Sequence, residues 1–117
     1  MNKIEKTVLY VKLFNVYKDL LSNAQKEIFG DYYLMDLSFS EIAENRNISR
    51  SAVEDAVSKA TRKLEEYESK LKIVEKTEIL QQKLNILKEK SLNMQEAEEI
   101  EELKKELEYY GIWGPYR

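Results

Sequence analysis

Polar side chains that could contact a nucleic acid are concentrated in one short part of the chain, between residues 46 and 63. They are Arg46, Ser49, Arg50, Ser51, Glu54, Asp55, Lys59, Arg62 and Lys63. An arginine can donate two hydrogen bonds to the edge of a guanine, and a serine hydroxyl can bond to a base or to a phosphate. The chemistry that this set offers is therefore recognition through hydrogen bonds and charge.

Two members of the set, Glu54 and Asp55, do not suit a simple DNA-binding surface. A carboxylate can accept a hydrogen bond from cytosine N4, but every nearby phosphate repels it. The basic side chains could compensate by contacting the phosphate backbone, or they could pair with neighbouring acids on a solvated helix face. These basic side chains are Arg46, Arg50, Lys59, Arg62 and Lys63. The sequence leaves both interpretations of these basic side chains open.

The residues between 40 and 57 have the spacing of a helix-turn-helix, a motif whose second helix enters the major groove of DNA. Ala43 is small enough for the second helix to cross closely, and Asn47 tolerates the left-handed backbone that the turn requires. Ile48 is expected to fill the corner between the two helices. Ser49 is expected to cap the second helix, because serine is a preferred N-cap residue.

Apolar residues at helical spacing predict an all-α fold with an N-terminal helical bundle, residues 1–70, that contains this motif. A first helix is expected from about residue 2 to 21, and a second from 23 to 34 after a capping box of Ser22 and Gln25. The third helix should begin at Ser38 or Ser40, and the fourth should run from Arg50 to about residue 67 or beyond. Side chains predicted to face the core are Leu9, Tyr10, Leu13, Phe14, Val16, Tyr17, Leu20, Ile28, Phe29, Tyr32 or Tyr33, Ile42, Ala43, Ala52 or Val53, Ala56, Val57, Ala60 and Leu64.

The remaining residues, 71–117, are predicted to form C-terminal helices. An apolar seam contains Ile73, Leu80, Leu84, Leu87 and Met94. A last helix should start after Ser91 or Asn93 and end near Tyr110, and the aromatic ending YYGIWGPYR should pack as a strap. These helices could fold back on the bundle or pair in a homodimer. We favour the homodimer, because a helix with two apolar sides needs more surface than a small bundle offers.

The composition of the 117-residue chain excludes several classes of function. It has no cysteine and no histidine, which removes thiol nucleophiles, the usual general base and the commonest metal ligands. No Gly-rich phosphate loop is present, so we expect neither an enzyme nor a cofactor or metal site. No apolar run is long enough to cross a bilayer, and the N-terminus lacks the apolar core of a signal peptide. The prediction is a cytoplasmic protein without membrane insertion.

Two resemblances to known families support the motif. The segment SFSEIAENRNISRSAVEDAVSKATRKLEEYE resembles region 4 of bacterial sigma factors. A longer match, from about Ile4 to Leu71, is to the YlxM-type family of small bacterial proteins, and it includes LFNVYKDLLS, YYLMDLSFSEIAE and ISRSAVEDAVSKATRKLEEYE. The resemblance implies a DNA-binding or regulatory helix-turn-helix protein. It also implies a role in the signal recognition particle pathway, because genes of this family often lie beside those for the particle's GTPases.

Two functions follow from these observations. In the first, the chain is a DNA-binding regulatory protein whose Arg50 and Ser51 contact DNA, or RNA, with support from the later basic side chains. In the second, the acidic surface around Glu54 and Asp55 binds a protein component of the signal recognition particle pathway without contacting DNA. The formal net charge of −3 argues mildly against strong nonspecific binding to nucleic acid.

Overall fold

The computed structural model describes residues 1–91 and 93–109, and it confirms the all-α prediction. The described residues form six α-helices and no strand. The helices are α1 (Lys3–Tyr17), α2 (Asn23–Tyr33), α3 (Phe39–Arg46), α4 (Arg50–Leu71), α5 (Ile73–Glu89) and α6 (Met94–Tyr109). The chain divides into two compact units, a first from Met1 to Leu71 and a second that begins at Lys72.

The long helix α4 is the centre of the first unit, and α1, α2 and α3 all pack against it. Its apolar side chains recur every three or four residues, so they share one face, and Val53, Val57, Ala60 and Leu64 are buried there. Phe14 of α1 stacks on Phe29 of α2 with ring centroids 4.6 Å apart. The first three helices therefore cover a single apolar face of α4.

Two tyrosines of α1 also hold α4 through polar bonds. The hydroxyl of Tyr10 donates to Glu65 at 2.6 Å, and that of Tyr17 donates to Glu68 at 2.6 Å. The hydrogen bond to Glu65, together with partial burial, raises the pKa of Tyr10 to about 12. A phenol paired with a carboxylate keeps its proton more firmly, because loss of that proton would place two negative charges in contact.

The end of α1 differs from the prediction. The α-helix stops at Tyr17, and a 3₁₀ turn over Lys18–Leu20 follows. Because a 3₁₀ turn has three residues per turn, the facing of the side chains shifts. Leu20, predicted to lie in the apolar stripe, is 54% exposed, and Leu21 is buried in its place. The predicted capping box of Ser22 and Gln25 opens α2 and is confirmed.

The second unit contains α5 and α6, which pack on each other. The predicted apolar seam does not continue through both helices, because α5 ends at Glu89 and Met94 belongs to α6. Leu84 is buried, whereas Leu80, Leu87 and Met94 are exposed. Asn93 caps α6 by accepting from the Glu96 amide at 2.9 Å, as one of the two predicted alternatives. The predicted end at Tyr110 and the aromatic strap fall on residues outside those described.

Candidate nucleic-acid interface

Helices α3 and α4 form the helix-turn-helix, and local capping chemistry sets both of its ends. Ser38 accepts from the Glu41 amide, and Glu41 accepts from the Ser38 amide in return, so α3 begins in a capping box. The hydrogen bond that the Glu41 carboxyl accepts from the Ser38 backbone amide, followed by the interaction with the Ser38 side chain, holds the pKa of this carboxyl below its usual value. Ser49 caps α4 by accepting from the Ala52 amide at 3.0 Å, as predicted.

The turn between the helices has the predicted left-handed residue. Asn47 has φ 54° and ψ 47°, and its amide bonds to the Glu44 carbonyl. The amide of Ile48 reaches the Ala43 carbonyl at 3.0 Å, and the two bonds together form a Schellman motif that ends α3. This closure lets α4 follow α3 with only three residues between them.

One prediction for the turn is wrong. The side chain of Ile48 does not fill the corner between the helices, because it is 39% exposed. The buried cluster at the motif is formed mainly by side chains of α2, α3 and α4. These residues are Ile28, Ile42, Ala43, Val53 and Val57, with Tyr32, Tyr33, Leu37, Phe39 and Ala56 at the edges. The backbone of Ile48 has a structural role, since its amide completes the Schellman motif.

The N-terminal turns of α4 expose the residues predicted to contact a ligand. Arg50, Ser51, Glu54 and Asp55 are all exposed. The Arg50 guanidinium donates from Nε to Glu54 at 3.1 Å, and the hydroxyls of Ser51 and Ser49 lie 3.3 Å apart. The arginine that could reach a guanine is therefore already paired within its own helix, through an exposed contact.

The basic residues of the later turns divide into three situations. Lys59 pairs with Asp55 at 2.9 Å on the exposed side of α4. Lys63 turns toward α2 instead, and its ammonium donates to Gln25 at 3.2 Å. Arg62 is exposed and has no hydrogen bond or ion pair to the part of the chain that the structure describes. Arg62 is thus the basic side chain most available to a phosphate.

Arg46 lies apart from the other candidates, on the side of the motif that faces α2. Its Nε donates to Asp31 at 2.6 Å, and its Nη1 donates to Glu27 at 3.0 Å. The hydrogen bond to Asp31 raises the pKa of the Arg46 guanidinium above its usual value. A phosphate contact from Arg46 would require these two ion pairs to open. The sequence alone did not signal this arrangement, because the partners are 15 and 19 residues away.

The outward surface of the motif is close to electrically neutral. Residues 38–63 contain five basic and four acidic side chains. Two of the basic side chains, Arg50 and Lys59, are paired with acids one turn away. Ser51, Asp55 and Arg62 follow one another at spacings of four and seven, so they share the face opposite the buried one. The arrangement offers hydrogen-bond donors and acceptors with little excess charge.

Sites for other ligand classes are not found among the described residues. No group of three or more acidic side chains there is placed to hold a metal ion. No described helix is both long and apolar enough to cross a membrane. A cavity of about 260 Å³ lies between α5 and α6, and its lining includes Lys88, Glu101 and Lys105. This cavity belongs to the second unit and includes none of the candidate interface residues.

Known proteins match most of this chain. The family model UPF0122, described as "Putative helix-turn-helix protein, YlxM / p13 like", matches residues 4–106. The UPF0122 protein YlxM of Bacillus subtilis is 40% identical over 105 residues, which cover 90% of this chain and 96% of the relative. A UPF0122 protein of Mycoplasma capricolum is 38% identical over 115 residues, covering 98% of this chain and 96% of the relative. A relative from Staphylococcus epidermidis is 39% identical over 95 residues, covering 81% and 86%.

Proposed function

The chain belongs to the YlxM / p13-like family of helix-turn-helix proteins, and from this premise we propose that it is a non-enzymatic, cytoplasmic DNA-binding regulatory protein. In this proposal the first two turns of α4 enter the major groove. Arg50 and Ser51 contact base edges, while Lys59 and Arg62 contact phosphates. Lys63 joins these phosphate contacts when it leaves Gln25.

The observation that carries the proposal is the start of α4. Ser49 caps the helix, and the left-handed backbone of Asn47 makes the tight turn before it. Arg50 and Ser51 follow directly and are exposed. The N-terminus of a helix has a partial positive charge and free amide groups, which favour a nearby phosphate. A helix-turn-helix positions its second helix for groove contacts through this same combination of a tight turn and an exposed N-terminal turn.

The ion pair of Arg50 with Glu54 does not prevent such contacts. An exposed pair one helical turn apart contributes only about 0.3–0.5 kcal/mol. A bidentate arginine–guanine contact contributes about 1–3 kcal/mol of discrimination, so a guanine can replace Glu54 as the partner of Arg50. The released Glu54 can then accept from a cytosine amino group. The acids would thus reduce nonspecific affinity more than they reduce recognition of a matching site.

A second candidate function is binding to a protein, and the same acids favour it. Glu54 and Asp55 are exposed side by side, and their basic partners hold them only through solvent-exposed contacts. A basic protein surface could displace Arg50 and Lys59 and pair with both carboxylates. The partner in this candidate is a protein of the signal recognition particle. In either candidate the chain would act as a homodimer.

Duplex binding by the full-length protein and its Arg50→Ala variant tests the first candidate. Selection from a random duplex pool at about 50 mM salt, followed by fluorescence anisotropy, should yield a preferred site. Arg50→Ala should weaken binding to that site by roughly tenfold to a hundredfold, which corresponds to about 1–3 kcal/mol. Lys6→Ala is the matched control, since Lys6 is an exposed cation on α1 in the same unit, and it should have little effect.

The same assays separate the two candidates. Absence of binding to duplex DNA at low salt, or an affinity for the selected site that Arg50→Ala leaves unchanged, would contradict the first candidate. Capture of a signal recognition particle protein by the wild type, lost in the Glu54→Lys variant and kept in the Arg50→Ala variant, would support the second. Binding only to the particle's RNA would retain the interface and change its ligand.

A further inference from the structure

The exposed side of α5 combines apolar and basic side chains in parallel rows. Lys76, Lys83 and Lys90 are seven residues apart, so they lie on one face with a drift of only about 20° per step. Ile79 and Ile86 follow one side of this lysine row, and Leu80 and Leu87 follow the other. All seven of these side chains are exposed, and 41–55% of each of the four apolar ones is open to solvent. A face of this composition is unusual for an unpartnered helix.

The exposed side of α6 has the opposite charge. The helix contains seven glutamates and two lysines. Glu98, Glu102 and Glu106 are each four residues apart, so they form a row along the helix, and all three are exposed. Leu103 is 43% exposed beside them, and Lys105 is the basic side chain on the same side. The second unit therefore presents a basic, apolar face on one helix and an acidic face on the next.

These two rows lack partners among the described residues. Lys88 and Lys104 both pair with Glu101, so nearby charges in the same unit are satisfied locally. Lys76, Lys83 and Lys90 have no ion pair within the described part of the chain, and neither have the three glutamates of the row on α6. Each row therefore offers unpaired charge of one sign, on neighbouring helices of one unit.

We propose that α5 and α6 form a self-complementary surface on which a second copy of this chain docks, α5 of each protomer against α6 of its partner. A two-fold interface needs a surface whose halves complement each other, and a basic row beside an acidic row meets this requirement. Four helices assembled in this way also bury the exposed isoleucines and leucines, which two helices alone cannot cover. The inference rests on the homodimer of the proposed function, but it does not depend on the ligand.

Charge reversal of the full-length protein tests the surface directly. One variant has Lys76→Glu, Lys83→Glu and Lys90→Glu, so that both helices are acidic. The other has Glu98→Lys, Glu102→Lys and Glu106→Lys, so that both are basic. Each variant alone should lose at least about tenfold in self-association, because like charges then face each other across the interface. An equimolar mixture should restore a dimer, since every contact in the mixed pair again joins opposite charges.

Sedimentation velocity at concentrations up to about 100 µM provides the measurement, since a dimer with a roughly micromolar Kd is fully formed there. The control has Lys3→Glu, Lys6→Glu and Lys18→Glu, which change the net charge equally at exposed positions of the first unit, and it should remain a dimer. Restoration in the mixture also shows that both variants fold. Leu87→Ala should weaken self-association by about tenfold through loss of apolar burial.

Each contrary result has a distinct meaning. A monomeric wild type at the highest concentration would overturn both this inference and the proposed homodimer, while leaving the assay of DNA binding unaffected. Variants that self-associate alone with the Kd of the wild type, or a mixture that associates no more tightly than either variant alone, would overturn the pairing of α5 with α6 and leave a homodimer through another surface.

Discussion

Individual side chains around the turn owe their importance to backbone geometry as much as to charge. Asn47 has a left-handed backbone, and Ile48 contributes its amide, while its side chain is 39% exposed. Arg50 and Ser51, which the proposed function requires, come directly after these two and the capping Ser49. A change in the turn residues should therefore affect stability and the direction of α4 before it affects any ligand contact.

Asn47→Ala is predicted to lower the free energy of unfolding by about 1 kcal/mol, because the left-handed conformation costs a residue with a Cβ roughly 1–2 kcal/mol and asparagine tolerates it better. Asn47→Gly should be nearly neutral. Urea denaturation followed by circular dichroism measures both. Asn45→Ala, at an exposed helical position of α3, is the matched control, and an equal loss in that variant would contradict the explanation.

Tyr10 is predicted to make stability depend on alkaline pH. Its pKa is about 12 in the folded protein and about 10 when unfolded, so the folded state holds the proton more tightly. The hydrogen bond to Glu65 therefore stabilises the fold fully below about pH 10, and this stabilisation is lost as the pH rises toward the folded value.

Thermal melting of the wild type and the Tyr10→Phe variant, which lacks the hydroxyl, checks this dependence. The melting temperature of the wild type should exceed that of the variant near pH 8, and the difference should shrink between about pH 10 and pH 12. A difference that stays constant over this range would show that Glu65 does not stabilise the protonated phenol.

At the scale of helices, a polar contact that the apolar pattern does not reveal joins α3 of the motif to α2. Arg46 at the end of α3 bridges Glu27 and Asp31 of α2 with a side chain that is 32% exposed. The contact joins these two helices at the point where the turn begins. The sequence predicts a phosphate contact for Arg46, but its pairing with two carboxylates of α2 makes a contribution to stability the more direct expectation.

Arg46→Ala is therefore predicted to reduce the free energy of unfolding by about 1 kcal/mol, the upper part of the range for surface ion pairs, because two carboxylates lose a shared partner. Arg62→Ala removes an exposed arginine that has no partner among the described residues, and it should change stability little. Chemical denaturation of the two variants side by side gives the comparison. Equal free energies of unfolding for the Arg46→Ala and Arg62→Ala variants would mean that the α2–α3 contact is energetically neutral.

At the scale of the whole molecule, charge limits how strongly any nucleic acid can be held. The chain has 19 basic and 22 acidic side chains, for a formal net charge of −3. Within the motif the basic and acidic side chains nearly balance, and Arg46 and Lys63 are directed toward α2. Recognition would then depend on a small number of well-placed contacts, and general attraction to phosphates would contribute little.

The salt dependence of DNA binding is predicted to be shallow. The helix-turn-helix of one chain can direct at most Arg50, Lys59, Arg62 and Lys63 at DNA. The slope of log affinity against log salt concentration should therefore not exceed about 4 in magnitude for each chain bound. Anisotropy titrations between about 50 and 200 mM salt measure this slope. A value twice as steep would show that basic groups outside the motif contact the phosphates.

Much of this architecture could be predicted from the sequence, because its determinants are local. Helix caps, the left-handed Asn47 and the apolar spacing of α4 each depend on residues within about four positions of one another. These features identified the helix-turn-helix, the capping box at Ser22 and the start of α4 at Arg50, and the structure confirms all three. The family resemblance rests on the same stretch and is confirmed by the comparisons.

What only the tertiary structure decided are the contacts between residues that are distant along the chain. The pairing of Arg46 with Asp31 and of Lys63 with Gln25, and the burial of Leu21 in place of Leu20, depend on how whole helices are placed against one another. Several partners of suitable charge exist for each basic side chain, and the spacing in the sequence does not distinguish them. Packing of the helices selects one partner, since it alone determines which side chains come within hydrogen-bonding distance.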